Sequence, residues 1–209
     1  MATLEFFYDF VSPYSYLAAT RVEAEVAKVG GTVRFRPFLL GGVFNATGNR
    51  APIETAAKGR YLPTDLSRWA KRLGVPLAWP AKFPVLTVLP LRAAFAAEKL
   101  GKLLPYTHSM YRAYWVEGRD VSDASVVEDV ATKAGLPGAA LIAEAPSYKE
   151  ALKAQTQEAV DRGSFGAPTF FVGQEMFIGN DRLDFAIEAL VASSSQASLQ
   201  ASSFAVRSD

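Results

Sequence analysis

The sequence predicts an α/β protein in which one α/β domain is interrupted by an all-helical insertion. Strand-like apolar runs lie near both ends of the chain, whereas the long stretch between them shows only helical periodicity. We therefore assign residues 1–45 and 163–192 to one discontinuous α/β domain, and residues 46–162 to the insertion. Residues 193–209 form a Ser/Ala-rich tail that we predict to be mobile.

The amino-terminal part of the chain predicts a β-α-β unit. The apolar run 4–8 is typical of a buried strand, and residues 13–29 show helical periodicity. Gly30 and Gly31 end this helix, and a second strand follows at 32–37. Two parallel strands joined by a helix form a right-handed crossover, so we expect these strands to be neighbours in one sheet.

The carboxyl-terminal part predicts a β-β-α unit. Two short strands, 169–172 and 176–178, are separated by a glycine-containing turn and predict a hairpin. A helix over 182–191 follows, and we expect Asn180 or Asp181 to cap it.

Apolar residues in the insertion recur at helical spacing and predict several helices, among them one around Leu66, one around Leu91 and a last one over 147–162. Trp79 and Phe83 are candidates for the walls of a pocket. A further aromatic stripe fits either a buried core face or a pocket for an aromatic ligand: Tyr106, Tyr111, Tyr114 and Trp115.

Charge and composition exclude several classes of function. The net charge of +1 gives no electrostatic footprint for nucleic acid or for a membrane surface, and no apolar run is long enough to span a membrane. The first residues lack the pattern of a signal peptide, so we expect a cytoplasmic protein. The absence of cysteine excludes disulfides, thiol catalysis by the protein itself and cysteine-ligated metals, and we predict no metal site.

The turn between the first strand and the first helix is the main candidate for a functional site. Ser12 is a suitable N-cap, and Pro13 fits the first helical position. Such a turn directs backbone donors and the positive end of a helix at one small volume. Ser12 has two interpretations, a plain N-cap or a hydroxyl that donates to a thiolate brought in from outside.

A second anchor, Ala167-Pro168, directly precedes the third strand. The pair of anchors resembles thioredoxin-like folds, in which a Cys-x-x-Cys turn faces a cis-proline. The resemblance implies that Pro168 is cis and faces the Ser12 turn, where this chain carries Ser12-Pro13-Tyr14-Ser15 in place of the two cysteines.

Six segments distributed over roughly residues 4–190 carry a more specific resemblance. They are 9–18, 40–44, 48–50, 113–115, 163–170 and 179–183. Together they resemble 2-hydroxychromene-2-carboxylate isomerases, which belong with the kappa-class glutathione transferases. The family implies a thioredoxin-like domain with a helical insertion, bound glutathione as cofactor and a homodimer.

The resemblance also implies roles for individual residues. Ser12 becomes the catalytic residue, because its hydroxyl donates to the glutathione thiolate. Glutathione would be bound by Ser12 and by Ala167, Pro168, Gly179, Asn180, Asp181 and Arg182. For Asn180 and Asp181 a plain helix cap is the other interpretation.

A polar stretch from Asn45 to Lys58 is the candidate for binding a carboxylate-bearing aromatic substrate. We select Asn45, Asn49 and Arg50, because amides and a cation suit an acid group, although a solvated loop explains each residue equally well. The family usually carries a lysine at the position of Asn45, and this departure bears on the identity of the substrate.

The sequence therefore predicts a glutathione-dependent isomerase of a 2-hydroxychromene-2-carboxylate or unsaturated 2-oxo acid, acting by thiolate addition, bond rotation and elimination. A kappa-class-like glutathione transferase and a redox-inactive thioredoxin-like binding module are the alternatives.

Overall fold

Four strands form one mixed sheet in the computed structural model, which describes residues 2–205 and their side chains as far as residue 195. The strands are β1 Thr3–Tyr8, β2 Thr32–Pro37, β3 Thr169–Val172 and β4 Glu175–Ile178. Their order in the sheet is β2-β1-β3-β4, with β1 and β2 parallel and the other two pairs antiparallel. The predicted β-α-β unit and the predicted hairpin are both confirmed.

Alternation along β1 divides the core between the two faces of the sheet. Leu4, Phe6 and Tyr8 belong to the larger cluster, which continues into the helical part of the chain, whereas Phe7 belongs to a smaller cluster on the other face. The ring of Phe6 stacks on Phe170 of β3 at 5.3 Å between centroids. The sheet is therefore covered on both sides.

The helices of the described chain account for the rest of the fold. They are α1 Pro13–Ala19, α2 Val22–Lys28, α3 Leu40–Thr47, α4 Ala56–Leu73, α5 Val88–Lys99, α6 Leu103–Trp115, α7 Ala124–Lys133, α8 Gly138–Glu144, α9 Lys149–Asp161 and α10 Leu183–Ala205. The α/β fold with a helical segment between its two parts is confirmed. None of these helices, within residues 2–205, is both long and apolar enough to cross a membrane.

The helix predicted over 13–29 is two helices, because the chain breaks between α1 and α2. Thr20 directs its hydroxyl to the carbonyl oxygen of Leu17 at 2.7 Å, and Arg21 leaves the helical conformation with φ −131°. A threonine hydroxyl that bonds a carbonyl in the preceding turn competes with the helical ladder. The prediction of one continuous helix was wrong for this reason.

Helix α3 was not predicted, and it includes the predicted domain boundary at residue 45. Two glycines in its first turn disfavour a helix. Its start is held by distant side chains, since Asp9 Oδ2 accepts from the N–H of Leu40 at 2.8 Å and Thr156 Oγ1 accepts from that of Leu39 at 3.0 Å. A Cβ at Gly42 would lie 3.1 Å from Thr156, so the glycine also permits close packing of α3 on α9.

One prediction about the end of the chain needs correction. Neither Asn180 nor Asp181 caps a helix; both lie in a 3₁₀ turn that follows Gly179 and leads into α10. Helix α10 continues into the Ser/Ala-rich tail as far as Ala205, and residues 206–209 lie outside the described residues. The mobility of the tail stays a prediction.

The aromatic stripe of α6 belongs to the core. Tyr106, Tyr111, Tyr114 and Trp115 are almost completely buried, which favours the core interpretation over the pocket. The indole N–H of Trp115 donates to the carbonyl oxygen of Phe10 at 2.8 Å, and this contact ties α6 to the turn that follows β1.

Candidate active site

Ser12 lies in the turn between β1 and α1, and it is the predicted N-cap. Its hydroxyl accepts from the N–H of Ser15 at 3.1 Å and donates to the carbonyl oxygen of Ala167 at 3.0 Å. Only 3% of the Ser12 surface is exposed. One hydroxyl therefore joins the two anchors that are 155 residues apart in sequence.

The Ala167-Pro168 segment is held between Ser12 and the turn that follows β4. The Ala167–Pro168 peptide bond is cis, as predicted. The carbonyl oxygen of Pro168 accepts from the N–H of Gly179 at 2.9 Å, whereas the N–H of Ala167 has no hydrogen-bond partner within residues 2–205. Gly179 has φ +99°, and a Cβ there would approach Asp181 Oδ1 to 2.6 Å. The structure thus brings these five residues together.

Asn180 carries polar groups that the described protein leaves unpaired. It is 1% exposed, and neither its side-chain oxygen nor its nitrogen has a hydrogen-bond partner among the described residues. Its backbone carbonyl accepts from Arg21 Nη2 at 2.8 Å. Because an unpaired buried amide costs free energy, its side chain is a candidate for contact with a ligand.

Tyr14 lies on α1, two residues after Ser12, and its phenol is near the carboxylates of Asp65 and Asp181. The phenol of Tyr14 donates to Asp65 Oδ2 of α4 at 2.7 Å. Burial, followed by the hydrogen bond and charge of Asp65 and by a smaller effect of Asp181, raises the pKa of Tyr14 above its ordinary value. Asp181 is exposed and pairs with Arg182 at 2.7 Å. The sequence marked neither Tyr14 nor Asp65, because this contact joins two distant helices.

The predicted substrate residues are only partly brought to this site. Asn49 Nδ2 donates to the carbonyl oxygen of Phe165 at 2.6 Å, which places Asn49 against the segment that leads to Ala167. Asn45 lies on the exposed side of α3 and not in the predicted loop, and Arg50 is also exposed. Among the described residues, no hydrogen bond or ion pair joins the side chain of Asn45 or of Arg50 to another predicted site residue, although the N–H of Arg50 donates to Asn49 Oδ1 at 2.9 Å.

Asp9 is a buried carboxyl beside the Ser12 turn that the sequence did not identify as a site residue. Burial raises the pKa of Asp9 to about 6, although hydrogen bonds from Thr87, Leu40 and Val11 oppose the rise. Its position directly after a buried apolar strand is the signal that could have indicated it.

Ser12 has no base that would make it a nucleophile. The single histidine of the chain, His108, pairs with Glu23 at 2.5 Å. Residues 2–205 contain no cluster of acidic or imidazole side chains that could hold a metal ion. The arrangement supplies a hydroxyl donor, a free backbone N–H and an unpaired buried amide, which suit a bound polar ligand.

Comparisons with known proteins agree with this geometry. The DSBA-like thioredoxin domain model matches residues 3–191. A 2-hydroxychromene-2-carboxylate isomerase of Sphingobium xenophagum is 35% identical over 188 residues, which cover 88% of this chain and 95% of the relative. Human glutathione S-transferase kappa 1 is 26% identical and is covered over 88% of its length, for 87% of this chain.

A solved structure of a 2-hydroxychromene-2-carboxylate isomerase superimposes with a TM-score of 0.84 at 30% identity, over 94% of this chain and 98% of that one. The sequence similarity and the shared fold extend over nearly the whole chain, including the Ser12 turn and the Ala167-Pro168 segment. The chain belongs to the DSBA-like thioredoxin domain family and, within it, to the 2-hydroxychromene-2-carboxylate isomerases.

Proposed function

We propose that this protein is a glutathione-dependent isomerase of an aromatic 2-hydroxychromene-2-carboxylate or a related unsaturated 2-oxo acid. The observation that carries the proposal is the hydrogen bond between the Ser12 hydroxyl and Ala167, in a chain that has no cysteine. Because no thiol belongs to the protein, a thiol that reacts beside Ser12 must come from a cofactor. The isomerases among its relatives support the class of substrate.

Glutathione fits the polar groups that surround Ser12. The free N–H of Ala167, beside Pro168, suits a backbone carbonyl of a tripeptide, and the amide of Asn180 suits groups of the γ-glutamyl end. The carboxylate of Asp181 suits the glutamyl ammonium, while Arg182 and the backbone at Gly179 complete this end of the site.

Ser12 acts on the sulfur of the cofactor. When bound, glutathione would supply a thiolate able to add reversibly to the conjugated carbon, so that the former double bond could rotate and the cofactor would be returned. The Ser12 hydroxyl turns its single proton from the Ala167 carbonyl toward the sulfur, and this hydrogen bond favours the charged form and lowers the thiol pKa. Because α1 has only seven residues, its contribution comes from the N–H groups of its first turn.

The substrate is held by the polar residues at the end of α3 and after it. Asn49 donates to the carbonyl oxygen of Phe165, so its amide is tied to the segment that leads to Ala167. Arg50 supplies the cation for the substrate carboxylate, and Asn45 supplies an amide where the family usually carries lysine. Donors at these positions stabilise negative charge that develops on the substrate oxygens.

Calorimetry with glutathione tests the proposal most simply. We expect saturable binding to the native protein, and a Ser12→Ala variant should bind glutathione with a higher thiol pKa, measured by thiolate absorbance. Absence of binding at millimolar glutathione would contradict the proposal and would favour a redox-inactive binding module.

A kappa-class-like transferase is the second candidate, because kappa-class relatives share 23–27% identity with this chain. The two reactions differ in the fate of glutathione: a transferase consumes it, whereas an isomerase returns it. Incubation with an electrophilic acceptor and titration of the remaining thiol distinguish them.

A further inference from the structure

Asp9 is a junction between three parts of the fold. Its Oδ1 accepts from the hydroxyl of Thr87 at 2.6 Å and from the N–H of Val11 at 3.1 Å, and its Oδ2 accepts from the N–H of Leu40 at 2.8 Å. Thr87 precedes α5, Val11 belongs to the Ser12 turn and Leu40 begins α3. One carboxylate therefore connects the Ser12 turn with the helix that leads to the substrate residues and with the helical insertion.

The backbone of Asp9 strengthens the same junction. Its carbonyl oxygen accepts from the N–H of Ser12 at 3.1 Å and from the phenol of Tyr111 at 3.3 Å. The position of the Ser12 hydroxyl thus depends on Asp9, whose carboxylate and carbonyl oxygens accept hydrogen bonds from five different residues.

No cation neutralises this carboxylate within the described part of the chain. The titratable groups that face it are phenols, those of Tyr8 on β1 and of Tyr111 and Tyr114 on α6, and all three are uncharged near neutral pH because burial raises the pKa of each.

No charged side chain of the described chain shifts the pKa of Asp9, although α5 carries Arg92 and Glu98. Helix α3 and residues 84–87 contain no titratable side chain. The tyrosines of α1 direct their phenols elsewhere, Tyr14 to Asp65 and Tyr16 to the carbonyl oxygen of Pro76. The state of Asp9 is therefore set by burial and by its three donors.

We propose that the Asp9 carboxylate is a positioning residue of this enzyme, which in its ionised form fixes the Ser12 turn against the start of α3 and against Thr87. The proposal rests on the proposed function in one respect, namely that Ser12 holds the reacting thiol and that residues at and after the end of α3 hold the substrate. The Asp9 carboxylate sets the position of the Ser12 turn relative to α3, and it contacts neither glutathione nor the substrate.

The donors around Asp9 explain why the ionised form is required. Two of the three are backbone N–H groups, which always donate and need an acceptor in every state. Only the Thr87 hydroxyl can reverse its hydrogen bond when Asp9 takes up a proton. A proton on Oδ1 then points to Thr87, and Oδ1, now a neutral hydroxyl oxygen, becomes a weaker acceptor for the N–H of Val11. Protonation therefore weakens the contact with the Ser12 turn, and we expect it near pH 6.

The Asp9→Asn variant tests the role in catalysis. The amide has the shape of the carboxylate, but only the Thr87 hydroxyl can accept from its N–H₂ group, which then faces the N–H of Val11 or Leu40 with no acceptor for that N–H. We expect kcat to fall at least about tenfold, while glutathione affinity changes less than about threefold and the melting temperature stays within about 4 °C. We expect little change in the melting temperature because the loss of a buried charge, which is stabilising, offsets the loss of one hydrogen bond.

Fluorescence of Trp115 tests the junction without any ligand or substrate. Its indole donates to the carbonyl of Phe10, the residue after Asp9, and is completely buried. In a Trp69→Phe/Trp79→Phe background, where Trp115 is the remaining tryptophan, we expect its emission to change with a midpoint near pH 6. The change should be absent when Asp9→Asn is added.

A matched pair at Thr87 keeps the test valid if Asp9→Asn folds poorly. Thr87→Val removes the hydroxyl but keeps the shape, so the midpoint of the Trp115 transition should move to higher pH; Thr87→Ser keeps the donor and should leave it in place. Full kcat in Asp9→Asn, or a Trp115 transition that persists in it, would overturn the proposal. Because the fluorescence test uses no glutathione, its failure is separate from failure of glutathione binding.

Discussion

Ser12 combines the roles of a helix cap and of a hydrogen-bond donor across the site. Its hydroxyl oxygen accepts from Ser15 while its proton reaches Ala167. The sequence predicted the cap from residues adjacent in the chain, and the resemblance to thioredoxin-like folds implied the cis-proline segment. It did not predict Asp9 or Tyr14 as parts of the site, because their partners Thr87, Leu40 and Asp65 lie on other elements.

Replacement of Ser12 by alanine separates its two roles. We expect turnover to fall about tenfold or more, since a hydrogen bond to a charged group contributes roughly 1.5–3 kcal/mol. The lost cap should cost about 1 kcal/mol of stability, which leaves the fold intact. Steady-state kinetics and thermal unfolding measure the two effects, and Ser12→Thr, which keeps a hydroxyl, is the control. Unchanged turnover in Ser12→Ala would refute the role in catalysis.

Asp181→Ala should weaken glutathione binding more than it slows the chemical step. The proposed contact with the glutamyl ammonium is remote from the sulfur, so it is made equally in the ground and transition states, and KM rises before kcat falls. Asp184→Asn is a suitable control, because Asp184 lies on the next turn and pairs with Arg21. A Kd equal in Asp181→Ala and Asp184→Asn would argue against the contact.

Ionisation of Asp9 should reduce the stability of the protein as the pH rises. The pKa of about 6 lies above the ordinary 3.8, so between pH 4 and 6 the native state keeps a proton that the unfolded chain has released. The free energy of unfolding therefore falls across this window, by roughly 3 kcal/mol, and is level above it. Chemical denaturation of the native protein and of Asp9→Asn measures the difference; a pH-independent difference would show that the pKa of Asp9 is not raised.

At the scale of elements, local signals predicted the strands and most helices, and tertiary contacts decided the exceptions. The strands were evident because apolar runs and turns are local patterns. Helix α3 was not, since its glycines oppose a helix and its first N–H groups are bound by Asp9 and Thr156. The break after α1 came from a hydroxyl whose rotamer the sequence does not specify.

The contact between α9 and the sheet rests on a partly buried ion-pair group. Arg36 on β2 is 7% exposed and pairs with Glu5 at 2.6 Å and with Glu158 of α9, while Gln155 accepts from its Nε at 2.8 Å. Arg162 supplies a second cation for both glutamates.

Arg36→Ala should therefore destabilise the protein far more than Arg34→Ala. Removal of Arg36 takes away its hydrogen bonds to Glu5, Glu158 and Gln155 and leaves Arg162 as the remaining cation, so we expect a cost of about 1–3 kcal/mol. Arg34 is exposed on the same strand, and its loss should cost less than about 0.5 kcal/mol. Urea unfolding of both variants measures this. Equal midpoints would mean that the ion-pair group does not hold α9 on the sheet.

At the scale of the whole molecule, the sheet supplies the Ser12 turn and the Ala167-Pro168 segment, and the helical part supplies α3, Thr87 and Asp65. The family similarity spans both parts, which is why the isomerase assignment does not rest on one motif. The homodimer, the cytoplasmic location and the boundaries of the insertion stay predictions.

The central claim is that this protein isomerises its substrate with glutathione as a returned cofactor. The most direct measurement follows conversion of 2-hydroxychromene-2-carboxylate together with total free thiol, with glutathione present in amounts far below substrate. We predict conversion that requires glutathione, many turnovers per glutathione, a constant amount of thiol and a large loss of rate in Ser12→Ala. Conversion at the same rate without glutathione, or loss of one thiol per product, would contradict the account.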